Sequence, residues 1–183
     1  MNQTNVANLP QMTLQREVVS EALSRVVLLG VLTAAASAIQ IAESPLPRLL
    51  PWLKPGLSNA LLLFAVIRHS PGFALSLVAG RTIVTGMLLG TLFTPAGLLS
   101  LLGGGSAAAA MLLCRRLGRG RGGLAGISVA GAVAHNAAQL GGVAFFAGEG
   151  LPVFLHLSLM LGAAIPSGLL VAGLAHQLLR RTS

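Results

Sequence analysis

The sequence predicts an all-α integral membrane protein, a bundle of six transmembrane helices whose second span is short or broken. Three observations predict it. First, of the 183 residues 54% are hydrophobic and 9% charged, against about 25% charged in a soluble domain, and the mean hydropathy is +0.82. Second, the basic residues sit at the ends of apolar segments. That is the pattern of membrane spans and not of a soluble basic face, so the net charge of +8 does not point to nucleic acid. Third, residues 43–68, ESPLPRLLPWLKPGLSNALLLFAVIR, break the apolar monotony. They hold Pro45, Pro47, Pro51 and Pro55, the single Trp, the single Lys and Glu43.

The elements follow in order. Residues 1–20 are polar, lack the basic-then-apolar order of a signal peptide, and read as a short cytoplasmic lead, helical from about Thr13. Residues 21–183 form one six-helix domain. Its first span covers 23–42. The second is the broken region, whose apolar part, 57–67, reaches roughly 16 Å as a helix, about half of a ~30 Å hydrocarbon core. Proline removes backbone donors and disfavours helix just before itself. Broken backbone at membrane depth survives only where protein buries it or where it lines a cavity. The stretch is therefore expected to wall or cover a binding site. The third span covers 73–93, after a Pro71-Gly72 turn. The fourth covers 98–114, after the turn at Pro95. The fifth covers 124–147, after a basic, Gly-rich loop. The sixth covers 153–179, interrupted by Pro166.

Charge placement orients the six spans. With the N-terminus inside, the inside holds Arg16, Arg25, Arg68, Arg115, Arg116, Arg119, Arg121, Arg180 and Arg181, and the outside holds Arg48 and Lys54. Five or seven spans would put the basic loop or the C-terminal arginines on the wrong side. Both termini are thus expected in the cytoplasm.

Several residues carry chemistry. Arg81 lies near the middle of the third span, where an arginine costs about 2.5–3.5 kcal/mol on insertion scales. It either binds an anion or braces the bundle by pairing with helix carbonyls or Glu43. Lys54 and Asn59 flank Pro55-Gly56, where a new helix begins. Free N–H groups at a helix start attract anions, so this pair is a candidate grip on a carboxylate, phosphate or polarised carbonyl. The rival reading has Lys54 reaching out to the headgroups. Glu43 is placed to pair with Lys54, Arg48 or Arg81 and shut the site, unless it is a plain acid at the end of a span. His135 and Asn136, with Gln139 on nearly the same stripe of the fifth span, either meet a ligand or join helices. Gln139 is read as helix glue and the His135–Asn136 pair as a site. No second His stands at metal-ligand spacing from His135, and the single Cys114 supports neither a disulfide nor a cysteine metal site. Small-residue faces occur at Ala34/Ala38, Gly86/Gly90 and Gly103–Gly105, where backbones can approach closely.

LPWLKPGLSNALLLFA, an intramembrane Arg in a Gly-rich third span, GTLFTPAGLLSLLGG and GAVAHNAAQL together resemble the Gx transporter family. This group is often labelled "heptaprenyl diphosphate synthase component I" and is similar in turn to the S components of energy-coupling factor (ECF) transporters. The resemblance covers about residues 20–180. It implies an S-component-like bundle in the bacterial cytoplasmic (inner) membrane, with the ligand site near the outer face. It also implies an AxxxA face, matched here by Ala34 and Ala38, that docks an ECF-type coupling subunit. The synthase label implies metal-binding Asp-rich motifs; this chain has no Asp, and its four acidic residues are scattered, so nothing predicts a magnesium diphosphate site. No P-loop and no nucleophile–base pair occurs, so no catalytic residue, metal or cofactor is predicted.

Two functions remain in view. One is a membrane-embedded substrate-binding subunit for uptake of a vitamin-like or flavin-like molecule, or of an isoprenoid or quinone precursor, energised by separate ATPases. The other is a non-transporting membrane subunit serving flavin- or quinone-linked electron transfer, with a flavoprotein partner, or prenyl-quinone synthesis. A structural scaffold, with Arg81 and His135 as braces, is the simplest rival to both.

Overall fold

The computed structural model describes residues 9–44, 56–118, 123–147 and 153–182, with side chains from Gln15 and, in the last segment, from His156. Lys54 and Arg48 lie outside the described residues. Six helices follow one another: α1 Leu9–Ala42, α2 Asn59–Arg68, α3 Pro71–Leu88, α4 Pro95–Leu117, α5 Gly123–Ala147 and α6 Val153–Arg181. No strand occurs among the described residues.

Four helices are long and apolar enough to cross a membrane: α1 over Gln15–Ala42, α3, α4, and α6 over His156–Arg181. The expected six reduce to four on this measure, for two different reasons. The ten residues of α2 extend only about 15 Å, as the proline-broken sequence led one to expect. At 25 residues α5 has the length, but His135, Asn136 and Gln139 dilute its apolar character. The chain is a multi-pass helical membrane protein.

The short helix is the centre of the bundle. In α2, Asn59 to Val66 are all buried, and the helix packs on α6, α3, α4 and α1. Leu62, Leu63 and Val66 form one core with Ala36, Leu77, Val78, Ala107, Ala108, Met111, Val171 and Ala175. Elsewhere small residues set the spacing, as helices associating in lipid require. A Cβ at Gly80 would sit 3.1 Å from Thr33 of α1, one at Gly131 2.3 Å from Met111, and one at Gly168 2.8 Å from the Val129 backbone.

Several boundaries differ from expectation. Pro71 and Pro95, expected in turns, are instead the first residues of α3 and α4, a position where proline's missing N–H costs nothing, and α4 runs on to Leu117 instead of 114. α1 starts at Leu9 and continues unbroken to Ala42, roughly 51 Å of helix, with Gln15 to Val27 exposed. α3 stops at Leu88 instead of 93. Gly90 adopts a positive φ of 66°, and the N–H groups of Thr91 and Leu92 turn back to the Gly86 carbonyl at 2.7 and 3.1 Å, a left-handed helix stop that glycine allows. α6 runs through Pro166 without interruption, which spanning helices tolerate when neighbours satisfy the freed carbonyl.

Arginines fasten one end of the bundle. Arg68 donates to the Leu179 carbonyl at 3.3 Å, while Arg115 donates to the carbonyls of Val66 and His69. The last carbonyls of α2 thus meet cations, the favourable partner at a helix C-terminus. The His69 ring, in the turn between α2 and α3, stacks on Phe73 at 4.4 Å and meets the edge of Phe64 at 5.8 Å. Burial, then the charges of Arg25 and Arg68, hold its pKa below the ordinary 6.5.

This gives a signed pH dependence. As pH falls through about 6.5, the unfolded chain takes up a proton at His69 that the folded chain resists, so stability falls until the folded pKa is passed. The unfolding midpoint in detergent is expected to drop between pH 7.5 and 5.5, and to drop less in His69→Gln. An equal drop in both proteins would remove His69 as the cause.

Candidate binding site

Arg81 is the organising side chain. It sits midway along α3 and is 3% exposed. Its Nη1 donates to Ser58 Oγ and its Nη2 to Asn59 Oδ1, each at 3.0 Å. The residues that open the short central helix therefore receive the buried guanidinium. Its backbone carbonyl is 3.5 Å from Ser37 Oγ of α1. Room for the guanidinium comes from α4: a Cβ on Gly104 would lie 2.9 Å from both Arg81 Nη2 and Val78 Cγ1.

Glu43 supplies the opposite charge. It follows the end of α1, is 3% exposed, and its Oε1 accepts the Leu57 N–H at 2.6 Å. The Leu57 amide belongs to the turn leading into α2, where backbone donors have no partner inside the helix and attract anions. Glu43 also interacts electrostatically with Arg81. The anion-attracting start of α2 inferred from the sequence is thus held by the chain's own carboxylate.

α5 reaches the same region from the other side. His135 lies against Gly103: a Cβ there would be 2.8 Å from His135 Cε1 and 3.0 Å from Gln139 Cγ. Adjacent glycines of α4 therefore seat the two polar groups, Gly104 for Arg81 and Gly103 for His135. Asn136 is buried and its Nδ2 donates to the Met160 carbonyl at 2.9 Å, tying α5 to α6. His135, Asn136, Asn59, Ser128 and Ser167 line an internal cavity of about 10 Å³, room for about one water. Ser128 is 1% exposed, and its hydroxyl has no hydrogen-bond partner among the described residues.

The residues singled out in the sequence therefore converge. Asn59 is the junction, accepting Arg81 on one side and facing the His135–Asn136 cavity on the other. Glu43 and Arg81 complete the group. Ala34 and Ala38 are exposed on α1 while Ala36 and Ser37 between them are buried, so the small-residue face points away from the bundle. No cluster of three or more His, Cys, Asp or Glu able to hold a metal occurs among the described residues. Sequence reasoning missed Ser58, Ser128 and Ser167. Ser128 was within reach of pattern: it stands seven residues, two turns, before His135 on the same stripe. Ser58 adjoins Asn59 at the start of α2, a position where serine is so common a cap that it drew no notice.

Comparison with known proteins adds one finding. A family model described as "Heptaprenyl diphosphate synthase component I" matches residues 32–178. No curated protein and no solved structure matches the chain.

The glycines offer an internally controlled test of this site. Gly104→Ala is expected to cost about 1–3 kcal/mol by crowding Arg81 and Val78, whereas Gly105→Ala, where an added Cβ meets nothing within 4 Å, is expected to be neutral or stabilising. Asn59→Ala should cost about 1.5–3 kcal/mol, the range for a hydrogen bond to a charged group. Denaturant unfolding in detergent measures all three. Equal effects of the two glycine substitutions would contradict the placement of Arg81 against Gly104.

Proposed function

The chain belongs to the heptaprenyl diphosphate synthase component I family, and on that footing we propose that it is a membrane-embedded substrate-binding subunit of a small-molecule transporter, built like an ECF S component. In this reading the chain crosses the bacterial inner membrane six times with both termini cytoplasmic. α2 forms the short second crossing. The chain itself performs no synthesis, since it has no Asp and hence no Asp-rich site for a metal diphosphate.

The observation that carries the proposal is a helix start that holds a buried cation through Ser58 and Asn59 and a buried carboxylate through the Leu57 amide. Glu43 holds the Leu57 amide at 2.6 Å and interacts with Arg81. A ligand bearing a carboxylate, phosphate or polarised carbonyl would take the place of Glu43 at these groups. Arg81 keeps Ser58 and Asn59 through such an exchange, so its charge is never left without acceptors in an apolar interior, which would cost several kcal/mol. Lys54 would add a second cation. His135 and Asn136, across Asn59, would hydrogen-bond the remainder of the ligand. The exposed Ala34/Ala38 face of α1 would receive a coupling subunit, whose ATPases supply the energy.

The family's description favours one further reading, a non-transporting accessory subunit for prenyl-quinone synthesis or a flavin- or quinone-linked electron-transfer system. Copurification separates the two: a coupling subunit with ATPases supports transport, and prenyl enzymes or flavoproteins support the accessory role.

The direct test is native mass spectrometry of gently purified protein with organic extraction of whatever is bound, run beside Arg81→Ala and Lys54→Ala. We expect a stoichiometric small molecule with an acidic or carbonyl group, lost in Arg81→Ala and weakened in Lys54→Ala. Empty protein that folds equally well in all three forms would remove the binding assignment.

A further inference from the structure

A groove of about 360 Å³ opens on the surface of α2 between α1 and α6. Its floor includes Ala60 and Leu61 of α2, and Ala35 and Ile39 of α1 form one wall. Consecutive helical residues point about 100° apart, so this floor lies roughly opposite Asn59. The groove is therefore on the far side of the short helix from the arginine site.

The other wall is a stripe of α6. Leu174, Gln177, Leu178 and Arg181 line the groove, and at spacings of three and four residues they share one helix face. The stripe advances about 10 Å along the axis and ends in a full charge at Arg181. Gln177 and Arg181 are exposed, and neither side chain makes a hydrogen bond or ion pair among the described residues. Other arginines at this end of the bundle are engaged: Arg25 by Glu21, Arg68 by the Leu179 carbonyl, and Arg115 by the carbonyls of Val66 and His69.

Charge at this end is one-sided. Arg68, Arg115, Arg180 and Arg181 gather where α2 and α6 end. Glu43 is buried at the opposite end of α2, beside Leu57, and Glu21 is already paired. An apolar groove that ends in an uncommitted cation and an amide matches an acyl chain with an anionic head. The chain would cover Ala60, Leu61 and Leu174, and a phosphate would meet the guanidinium fork of Arg181 and the Gln177 amide. Basic pockets between membrane helices bind anionic headgroups in this way. A water-soluble anion would leave the apolar floor bare. The larger groove between α3 and α4, of about 510 Å³, has no charged residue on its walls and offers no such pairing.

We propose that the α1–α2–α6 groove binds one anionic phospholipid of the bilayer, with an acyl chain laid along α2 and the phosphate held by Arg181 and Gln177. The site is distinct from the arginine site at Arg81 and does not depend on the transport reading.

Phosphatidylglycerol and phosphatidylcholine with the same acyl chains are the probes, titrated into the delipidated full chain in detergent and counted by native mass spectrometry. The first lipid should bind about fivefold tighter as phosphatidylglycerol than as phosphatidylcholine, the increment of one arginine near a membrane surface. Arg181→Gln should abolish that preference. Arg180→Gln removes the same charge from the neighbouring position, about 100° round the helix and outside the groove, and should keep it. Leu174→Trp, at an exposed wall position, should weaken both lipids severalfold by filling the groove. No preference in the intact protein, equal loss in the two arginine variants, or undiminished lipid binding in Leu174→Trp would each overturn the proposal. So would a dimer that Leu174→Trp dissociates, because it would give the groove to a second copy of the chain.

Discussion

An arginine side chain inside an apolar helix bundle must find hydrogen-bond acceptors where it lies, because no water competes to solvate it. Much of this protein follows from that requirement at Arg81. The acceptors come from Ser58 and Asn59, which open α2, and they can stand at mid-bundle depth only because α2 is half the length of a span. Leu57, in the turn into α2, donates its N–H to Glu43, so a buried carboxylate is fixed at the same helix start that receives the arginine. Gly104 leaves the space. Take away the short helix and the arginine has no partners; take away the glycine and it has no room.

The same economy governs the α5 side. A stripe of polar side chains on an apolar helix is tolerated when each is placed against something. Asn136 is matched to a carbonyl of α6, His135 is seated over Gly103, and both face Asn59 across a cavity of water size. The two polar regions are therefore one, joined at a single asparagine. The two sides share Asn59 and neighbouring glycines of one α4 turn.

How much of this was legible in the sequence depended on how rare each signal is in its context. Arg81, Glu43 and Asn59 stood out because charged and amide groups are costly in an apolar chain and must be accounted for. The half-length second helix was legible because its prolines and its short apolar run agree. Ser58, Ser128 and Ser167 escaped notice because an isolated serine fits a membrane helix almost anywhere. Gly103–Gly105 could be read as a close-packing face, but not which glycine meets which side chain. That depends on helix rotation, and only the fold separates Gly104, against Arg81, from Gly105, against nothing. The end of α3 was missed because residues 89–93 are as apolar as the helix before them, and the stop is made by the backbone conformation of Gly90. Pro166 was overread: proline interrupts helices in water far more readily than inside a bundle.

The measurement that tests the account most directly is a double-mutant cycle of Glu43→Gln and Arg81→Met, read by equilibrium unfolding in detergent. If the two charges share one buried seat at the start of α2, each single change leaves the other charge uncompensated and the double change relieves it. The predicted coupling is then about 1 kcal/mol or more, with the double variant more stable than the sum of the single effects. Effects that add to within about 0.3–0.5 kcal/mol would mean that Glu43 and Arg81 do not act on each other, and the carboxylate-occupied seat would have to be abandoned.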